Sequence, residues 1–529
     1  MSDKDMKGPL QTTLSPDSIE LANATAVGEK LGTPGDENDM DRMGKLQVLR
    51  RQFKFLSIFG FTVVLANAWE FTLIGLGMSL FNGGPAGGIW MFLVSSVGTL
   101  LISLSFAEMV SMAPTCGGQY HWVSELAPKN QQRFLSYVVG WLATVGWQIG
   151  MAAVANSAAQ HFQALIALNV PSYVPQGWHG TLFTIAVCSS SILWNTVLVR
   201  KLPLIEGIAL CVHFLGFFAV LVVLWVMGPR SNTKDTWTKF EDPMGWGHNS
   251  LAVLVGLAGP TLALGGADTA VHLAEEVADS ARVTPKAMVA TTAVNICIGF
   301  IMLVTVFSTM GSDPSAVLDT SFGQPWIQVM YNATESTVAT SIMTAVVCVL
   351  LLFCSVNQVT CSSRQLFSFA RDNGLPCSAW LSRVPPSHDV PINAVMFTLF
   401  TTSLLSLLLV GSTVAFNILI SSSFICVFSS YLVVIGCMLR KRILKEPLLP
   451  APFSLGKAGF AINAGAILYI MFDMVFLLFP IMPNPSLIDM NWACVLLTGG
   501  ASFAMVYYHL HGKHHYEGPA TYVKQQYTG

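Results

Sequence analysis

The stretch LGGADTAVHLAEEV, residues 264–277, decides how this chain is organised. Residues 251–267 carry no charge, and residues 268–276 then hold three acids and one histidine. Two adjacent glycines, Gly265 and Gly266, stand at the junction. Glycine permits unwound backbone. Freed backbone groups at membrane depth are tolerated only where they are buried in protein or line a cavity. The pattern therefore predicts a membrane helix that is broken at a ligand site.

The composition is typical of a membrane protein. Of the 529 residues, 53% are hydrophobic and 11% are charged, whereas a soluble domain carries about 25% charged residues. The formal net charge of -2 and the absence of a basic block give no indication of a nucleic-acid partner. The eleven cysteines lie mostly inside apolar runs and show no metal-ligand spacing, so we expect no metal site.

Apolar runs of membrane-spanning length follow one another along most of the chain. A bilayer core needs about 20 apolar residues per helix. The sequence therefore predicts an all-α membrane protein with twelve transmembrane helices. They are expected at residues 55–81, 88–113, 134–160, 180–199, 202–228, 249–278, 287–310, 337–362, 391–411, 414–438, 458–482 and 489–510.

Three regions follow from these spans. Residues 1–54 are polar and predict a disordered cytoplasmic tail, residues 55–510 form the twelve-helix transporter domain, and residues 511–529 form a cytoplasmic C-terminal tail. With this arrangement, 24 of the 27 lysines and arginines face the cytoplasm, as the positive-inside rule requires. Both termini are then cytoplasmic, and the plasma membrane is the expected location. The sequon at Asn332 falls in an outer loop and is a glycosylation candidate.

The first predicted span has a flaw comparable to that of the sixth. The stretch VVLANAWEF (63–71) places Asn67 and Glu70 inside an apolar run, at a depth similar to that of Asp268. Interrupted helices at matching positions in two halves are typical of secondary transporters with inverted repeats. We therefore predict a five-plus-five inverted repeat with broken helices 1 and 6.

The break in the sixth span has two interpretations. In one, backbone N–H groups after the glycines face a solute carboxylate, and carbonyls before them face an ammonium group. In the other, the helix ends at the glycines, residues 268–277 lie in the cytoplasm, and Asp268 caps a surface helix.

Other polar residues in the spans also have two interpretations each. His213 is a candidate for proton coupling or a satisfied core histidine. Trp69 could stack on a cationic amine or serve packing alone. Glu108, at the inner end of the second span, is expected to act as a gate or to anchor a loop.

Three stretches carry a family resemblance: EMVSMAPTCGGQYHWVSELAP (108–128), GGADTAVHLAEEVADSARVTPKAM (265–288) and SSRQLFSFARDNGLP (362–376). They resemble the fungal amino-acid/choline transporter family of the amino acid–polyamine–organocation superfamily, and the resemblance extends over roughly residues 50–510. It implies that helices 1 and 6 are unwound at the substrate site. The implied substrate-binding residues are Leu65, Ala66, Asn67, Ala68, Trp69, Gly265, Gly266, Ala267 and Asp268.

Several ionisable residues in or near the spans are candidates for gating or coupling. The gate or coupling candidates are Glu70, Glu108, His213, Glu275 and Glu276. The resemblance implies that the last two meet basic or polar groups near a cytoplasmic gate, including Arg282 or loop residues. The chain departs from the wider superfamily because its first span lacks a glycine–small–glycine turn and its fifth lacks a lysine near the site.

The broken helices indicate a secondary transporter in the lipid bilayer, and the resemblance implies a proton-linked importer of a small amine-bearing solute. The solute is expected to be an amino acid, gamma-aminobutyrate or choline, and the proton gradient replaces any cofactor. A polyamine permease and a nutrient sensor with little flux are the alternatives. An enzyme is not expected, because no metal cluster, nucleophile elbow or pair of carboxylates occurs at a catalytic spacing.

Overall fold

The computed structural model describes residues 32–385, 389–411, 414–487, 490–516 and 518–519. Within these ranges the regular structure is entirely helical, and no β-strand forms. The helices, numbered in chain order, are α1 (Pro34–Arg42), α2 (Phe55–Ala66), α3 (Ala68–Ile74), α4 (Leu76–Phe81), α5 (Gly84–Met112), α6 (Gln119–Leu126), α7 (Gln132–Asn169), α8 (Gly177–Thr196), α9 (Leu202–Met227), α10 (Thr233–Thr238), α11 (Asn249–Val255), α12 (Ala258–Ala263), α13 (Ser280–Thr309), α14 (Ser315–Leu318), α15 (Pro325–Thr334), α16 (Thr337–Arg371), α17 (Ser378–Leu381), α18 (Ile392–Ser406), α19 (Leu408–Gly411), α20 (Ala415–Ile443), α21 (Gly459–Leu477), α22 (Ala493–Tyr507) and α23 (Lys513–His515).

Ten helical segments of the described chain are long and apolar enough to cross a membrane. They coincide with ten of the twelve predicted spans. The remaining two predictions correspond to the 20-residue helix α8 and to the shorter apolar segment Asn249–Ala263. The expectation of an all-helical multi-pass membrane protein is thus confirmed, while the count of twelve and the inverted repeat stay predictions.

The first span breaks at Asn67. This residue has φ 45° and ψ 46°, ends α2 and begins α3. Asparagine is among the few non-glycine residues that adopt this left-handed conformation, because its short polar side chain bonds locally. With its amide oriented so that the nitrogen faces acceptors, Asn67 donates to Glu70 Oε1 and to the Val64 carbonyl, both at 3.2 Å. Asparagine therefore supplies the turn that the missing glycines would have made.

The sixth span breaks more extensively than the first. Helices α11 and α12 are followed by turns over 264–270 and then by a 3-10 helix, Val271–Glu276. Gly266 has φ 88°, which favours glycine. Residues 268–276 are buried, so the interpretation of a surface helix capped by Asp268 is wrong. The second half is also not the α-helix that we expected, since it is a single short 3-10 segment.

Long helices hold the two breaks at the centre of the bundle. Helix α2 packs against α9, α13 and α16, and α7 packs against both α16 and α20. On the second half of the first span, α3 contacts α12 and α13. The 3-10 helix that follows the second break contacts α16 and α13. Both breaks are therefore positioned by long neighbouring helices.

The N-terminal region is ordered over part of the predicted disordered tail. Helix α1 begins with a capping box at Thr33, and residues 43–54 continue across the bundle to the start of α2. The expectation of disorder therefore does not hold for residues 32–54. These residues pack against the 3-10 helix Val271–Glu276 of the sixth span (the inner arm). Residues 1–31, like 517 and 520–529 of the predicted C-terminal tail, lie outside the described residues.

Candidate functional site

A cavity of about 110 Å³ lies at the break of the sixth span. The backbone of residues 264–269 forms one side of it, and Leu65 and Ala66 contribute the end of α2. Six aromatic side chains complete much of the lining: Phe71, Trp147, Phe424, Phe428, Tyr431 and Tyr469. The break that glycine makes in the backbone thus opens directly onto an aromatic-rich chamber.

The lining has the polarity of a cation site. Asp268 is its one carboxylate, and no Lys, Arg or His occurs among its described residues. Aromatic faces carry partial negative charge and attract a cation held within about 6 Å of the ring. A carboxylate beside several aromatic rings, with no competing cation in the lining, suits an ammonium group.

Asp268 is fully buried and is held by four side chains. Gln119 Nε2 donates to Oδ2 at 2.5 Å, Trp147 Nε1 at 3.1 Å, and Tyr431 Oη donates to Oδ1 at 2.5 Å. The ring of His272 lies with Nε2 3.1 Å from Oδ2. Asp268 therefore ties the broken segment to α6, α7 and α20 rather than capping its own helix.

The broken segment also offers backbone donors. Within the described residues, the N–H groups of Gly265, Gly266 and Ala267 form no hydrogen bond. All three residues line the cavity. These groups can therefore donate to an oxygen of a solute. The first interpretation placed such donors after the glycines, whereas two of these three belong to Gly265 and Gly266 themselves.

The predicted residues of the first break divide between two environments. Leu65 and Ala66 line the cavity, whereas Asn67, Ala68 and Trp69 are buried outside its lining. Trp69 packs against His213 and Phe217 of α9, with ring centroids 6.0 and 6.4 Å away. Residues two apart on a helix face different sides, so Phe71 turns towards the cavity while Trp69 turns towards α9. Trp69 is thus placed for packing.

Glu70 and His213 form a buried pair behind the cavity wall. His213 Nδ1 lies 2.8 Å from Glu70 Oε1, and both side chains are fully buried. Among the described residues, Glu70 Oε2 and His213 Nε2 have no hydrogen-bond partner. The pair joins α3 to α9 directly beside the left-handed turn at Asn67.

Two ion pairs fix the inner arm of the sixth span. Arg371 donates to both oxygens of Glu275 at 2.7 and 2.8 Å, and Thr115 Oγ1 donates to Glu275 Oε1 at 2.9 Å. Arg364 Nε donates to Glu276 Oε1 at 2.8 Å. Both arginines belong to α16. The two glutamates thus meet basic groups, as expected, but these are arginines 88 and 96 positions away along the chain rather than Arg282.

The N-terminal segment, residues 32–54, forms a strap over the same arm. Asp36 accepts from the N–H groups of Asp279 and Ser280 at 2.9 and 3.0 Å, at the start of α13. Arg51 lies 3.2 Å from Asp36 and donates to the carbonyls of Ala274 and Val277. The strap therefore binds carbonyl groups at the end of the inner arm and N–H groups at the start of α13.

A further contact links the strap to the end of α16. Lys45 Nζ lies 3.2 Å from Asp372 Oδ2. Burial lowers the pKa of Lys45, and the Asp372 charge opposes that shift. Burial acts to raise the pKa of Asp372, but Lys45 and Arg371 outweigh it and leave that pKa below its ordinary value. Asp372 thus lies between two basic side chains that together hold its pKa down.

Glu108 and Asn332 lie away from the cavity. Glu108 accepts from Arg442, from Ser454 Oγ at 3.2 Å and from the Leu455 N–H at 3.0 Å. This geometry is that of a loop anchor, the second of its two expected roles. Asn332 is exposed near the end of α15, and its glycosylation stays a prediction.

The sequence interpretation missed the residues that surround Asp268, namely Gln119, Trp147 and Tyr431. The sequence could have indicated that Trp147 and Tyr431 need hydrogen-bond acceptors, because buried tryptophan N–H and tyrosine O–H groups usually find a partner. Each of these residues lies near or within an apolar span that also contains small residues. The sequence did not indicate that all three would meet one carboxylate.

The sequence also matches a family model and several known proteins. Residues 53–501 match the family model described as amino acid permease. The chain is 28% identical to an uncharacterized amino-acid permease of Schizosaccharomyces pombe, over 95% of this chain and 92% of the relative. It is 28% identical to a choline transporter of Saccharomyces cerevisiae, over 90% and 85%. It is 26% identical to an amino-acid permease of Arabidopsis thaliana, over 92% and 96%.

These matches cover nearly the whole described bundle and both breaks. They confirm the resemblance drawn from the sequence and the expectation of a multi-pass membrane transporter that is not an enzyme. The chain belongs to the amino acid permease family.

Proposed function

We propose that this protein is a proton-coupled importer of a small amine-bearing solute, with an amino acid, gamma-aminobutyrate or choline as the candidates. The observation that carries the proposal is the cavity, in which Asp268 and six aromatic side chains meet unpaired backbone N–H groups. The relatives add support, since their printed names include amino-acid permeases and a choline transporter. Twelve spans, cytoplasmic termini and a plasma-membrane location complete the proposal.

The cavity suggests how such a solute is held. Its ammonium group lies among the aromatic faces near Asp268, where cation–π attraction and the carboxylate act together. An oxygen of the solute accepts from the N–H groups of residues 265–267. Rocking of the two broken spans against the straight helices then exposes the cavity to each side in turn.

We assign proton coupling to the Glu70–His213 pair. Ionisable residues inside membrane segments are costly and commonly mark proton or ion pathways. The pair is positioned to act on transport because it lies beside the Asn67 turn, and the preceding residues Leu65 and Ala66 line the cavity. Gain or loss of a proton there changes the charge of the contact between α3 and α9.

The first test is uptake in a fungal strain that lacks its own transporters. Radiolabelled choline, gamma-aminobutyrate, neutral and basic amino acids and spermidine are supplied at acidic and neutral pH, with and without a protonophore. We expect saturable uptake of at least one solute, lost when the protonophore is added. If the protein reaches the cell surface, binds a solute and carries none, the proposal fails in favour of a sensor.

Uncoupling variants test the assignment of the pair. In Glu70→Gln and His213→Gln we expect proton-driven accumulation of the solute to fall at least tenfold, while exchange of internal for external solute continues. Exchange needs the cavity but no net proton movement. The measurement compares both fluxes in vesicles of each variant.

His161→Gln is the matched control, since His161 is as buried as His213. Its hydrogen-bond partners among the described residues are Ser157 and Trp326 rather than a carboxylate. Normal proton-driven uptake in both pair variants would assign the coupling elsewhere.

A further inference from the structure

Asp473 is a second buried carboxylate close to the cavity. It lies in α21 and is fully buried. Its Oδ2 atom accepts from Thr261 Oγ1 at 2.8 Å and from Tyr469 Oη at 2.9 Å, whereas Oδ1 has no hydrogen-bond partner in the described part of the chain. No cation pairs with it among the described residues. Such a costly side chain inside a membrane span calls for a role.

The two hydroxyl groups that contact Asp473 both belong to residues lining the cavity. A hydroxyl group has one proton to donate and lone pairs to accept. Thr261 and Tyr469 each donate that proton to Asp473 in a hydrogen bond. Towards a solute, their oxygens can therefore act only as acceptors.

The position of Tyr469 is itself closely fitted. Gly98 of α5 faces the ring, and a Cβ atom there would lie 2.1 Å from Tyr469 Cγ. The ring thus occupies space that any side chain at position 98 would fill. Gly98 on one side and Asp473 on the other hold the tyrosine in place.

We infer that Asp473 is a positioning residue that makes this wall of the cavity a surface of hydrogen-bond acceptors. The wall then favours a solute that carries a hydroxyl or N–H donor in addition to its cationic nitrogen. A solute of the same shape without that donor leaves two buried acceptors unpaired. The inference rests on the proposed function, since it names a feature of the solute that the same cavity takes.

The test compares two probes, choline and choline methyl ether, which share a quaternary nitrogen and differ in the hydroxyl donor. Binding of each to the purified full-length protein is measured by displacement of the radiolabelled solute found in the uptake panel. We expect the wild type to prefer choline by about tenfold, the range of one to two hydrogen bonds. Thr261→Val and Tyr469→Phe should each lower that preference several-fold.

Two further variants separate positioning from simple structural support. Asp473→Asn keeps an acceptor oxygen and should retain the preference, whereas Asp473→Leu should lose it. Thr99→Val is the matched control, because Thr99 lines the cavity without contacting Asp473. A general loosening of the structure would weaken both probes alike and leave their ratio unchanged.

The outcomes separate this inference from the proposed function. An unchanged ratio in Thr261→Val and Tyr469→Phe overturns the role of Asp473 while leaving amine transport intact. So does a wild type that takes another amine from the panel but binds neither probe. If no amine in the panel is bound or carried at all, the proposed function itself fails.

Discussion

Replacing Gly266 by leucine should abolish uptake while the protein stays folded in the membrane. Gly266 has φ 88°, a conformation that costs other residues roughly 1–2 kcal/mol. A Cβ atom there would lie 2.9 Å from Thr269 Oγ1, with no other atom of the described residues within 4 Å apart from its chain neighbours. Gly266 lines the cavity, so we expect the rest of the leucine side chain to enter it. The measurement is uptake of the identified solute, with surface expression and the elution profile of the purified protein as checks on folding.

The control for this variant is Gly207→Leu. Gly207 lies on the exposed face of α9, and a Cβ atom there would meet nothing within 4 Å. We expect that substitution to leave uptake near the wild-type level. Normal uptake in a well-expressed Gly266→Leu protein would show that the solute does not pass the break of the sixth span.

Removing Arg371 should damage the protein more broadly. The Arg371→Ala change leaves Glu275 buried without its cation, and breaking such a pair costs about 3–5 kcal/mol. That is a large part of the stability that folded proteins commonly have. We expect a lower thermal midpoint in detergent and little uptake, measured on purified protein and on cells respectively.

Two comparisons test whether the lost pairing is responsible. Arg440→Ala removes the same type of residue from an exposed pair with Glu446, and such pairs contribute little. The double variant Glu275→Gln with Arg371→Gln removes both charges, so it should be more stable than Arg371→Ala. Equal damage in Arg371→Ala and Arg440→Ala would show that the inner arm does not depend on this contact.

The two breaks show how far the sequence alone could lead. Adjacent glycines followed by acids in the sixth span, and asparagine followed by glutamate in the first, marked both positions correctly. Unusual backbone leaves a local signal, because few residue types adopt it. The 3-10 conformation of the inner arm left no such local signal in the sequence, because it depends on the helices that pack around it.

The side chains that line the cavity could not be predicted from the sequence. The helices packed around α3 decide which of its sides faces the cavity. The sequence therefore could not show that Phe71 lines the cavity and Trp69 does not. The partners of Glu275 and Glu276 come from α16, and nothing local to 264–277 indicates that distance. Long-range pairing of side chains is decided by tertiary packing, which a single sequence does not display.

The strap has a consequence for the order in which the chain is built. Asp36 and Arg51 are synthesised early, yet their partners around residues 274–280 are 223 to 244 positions later, and Asp372 follows Lys45 by 327. The strap can therefore settle only after the sixth span and α16 have entered the membrane. A ribosome-bound chain that stops before residue 274 should keep residues 32–54 open to protease, and a finished chain should protect them.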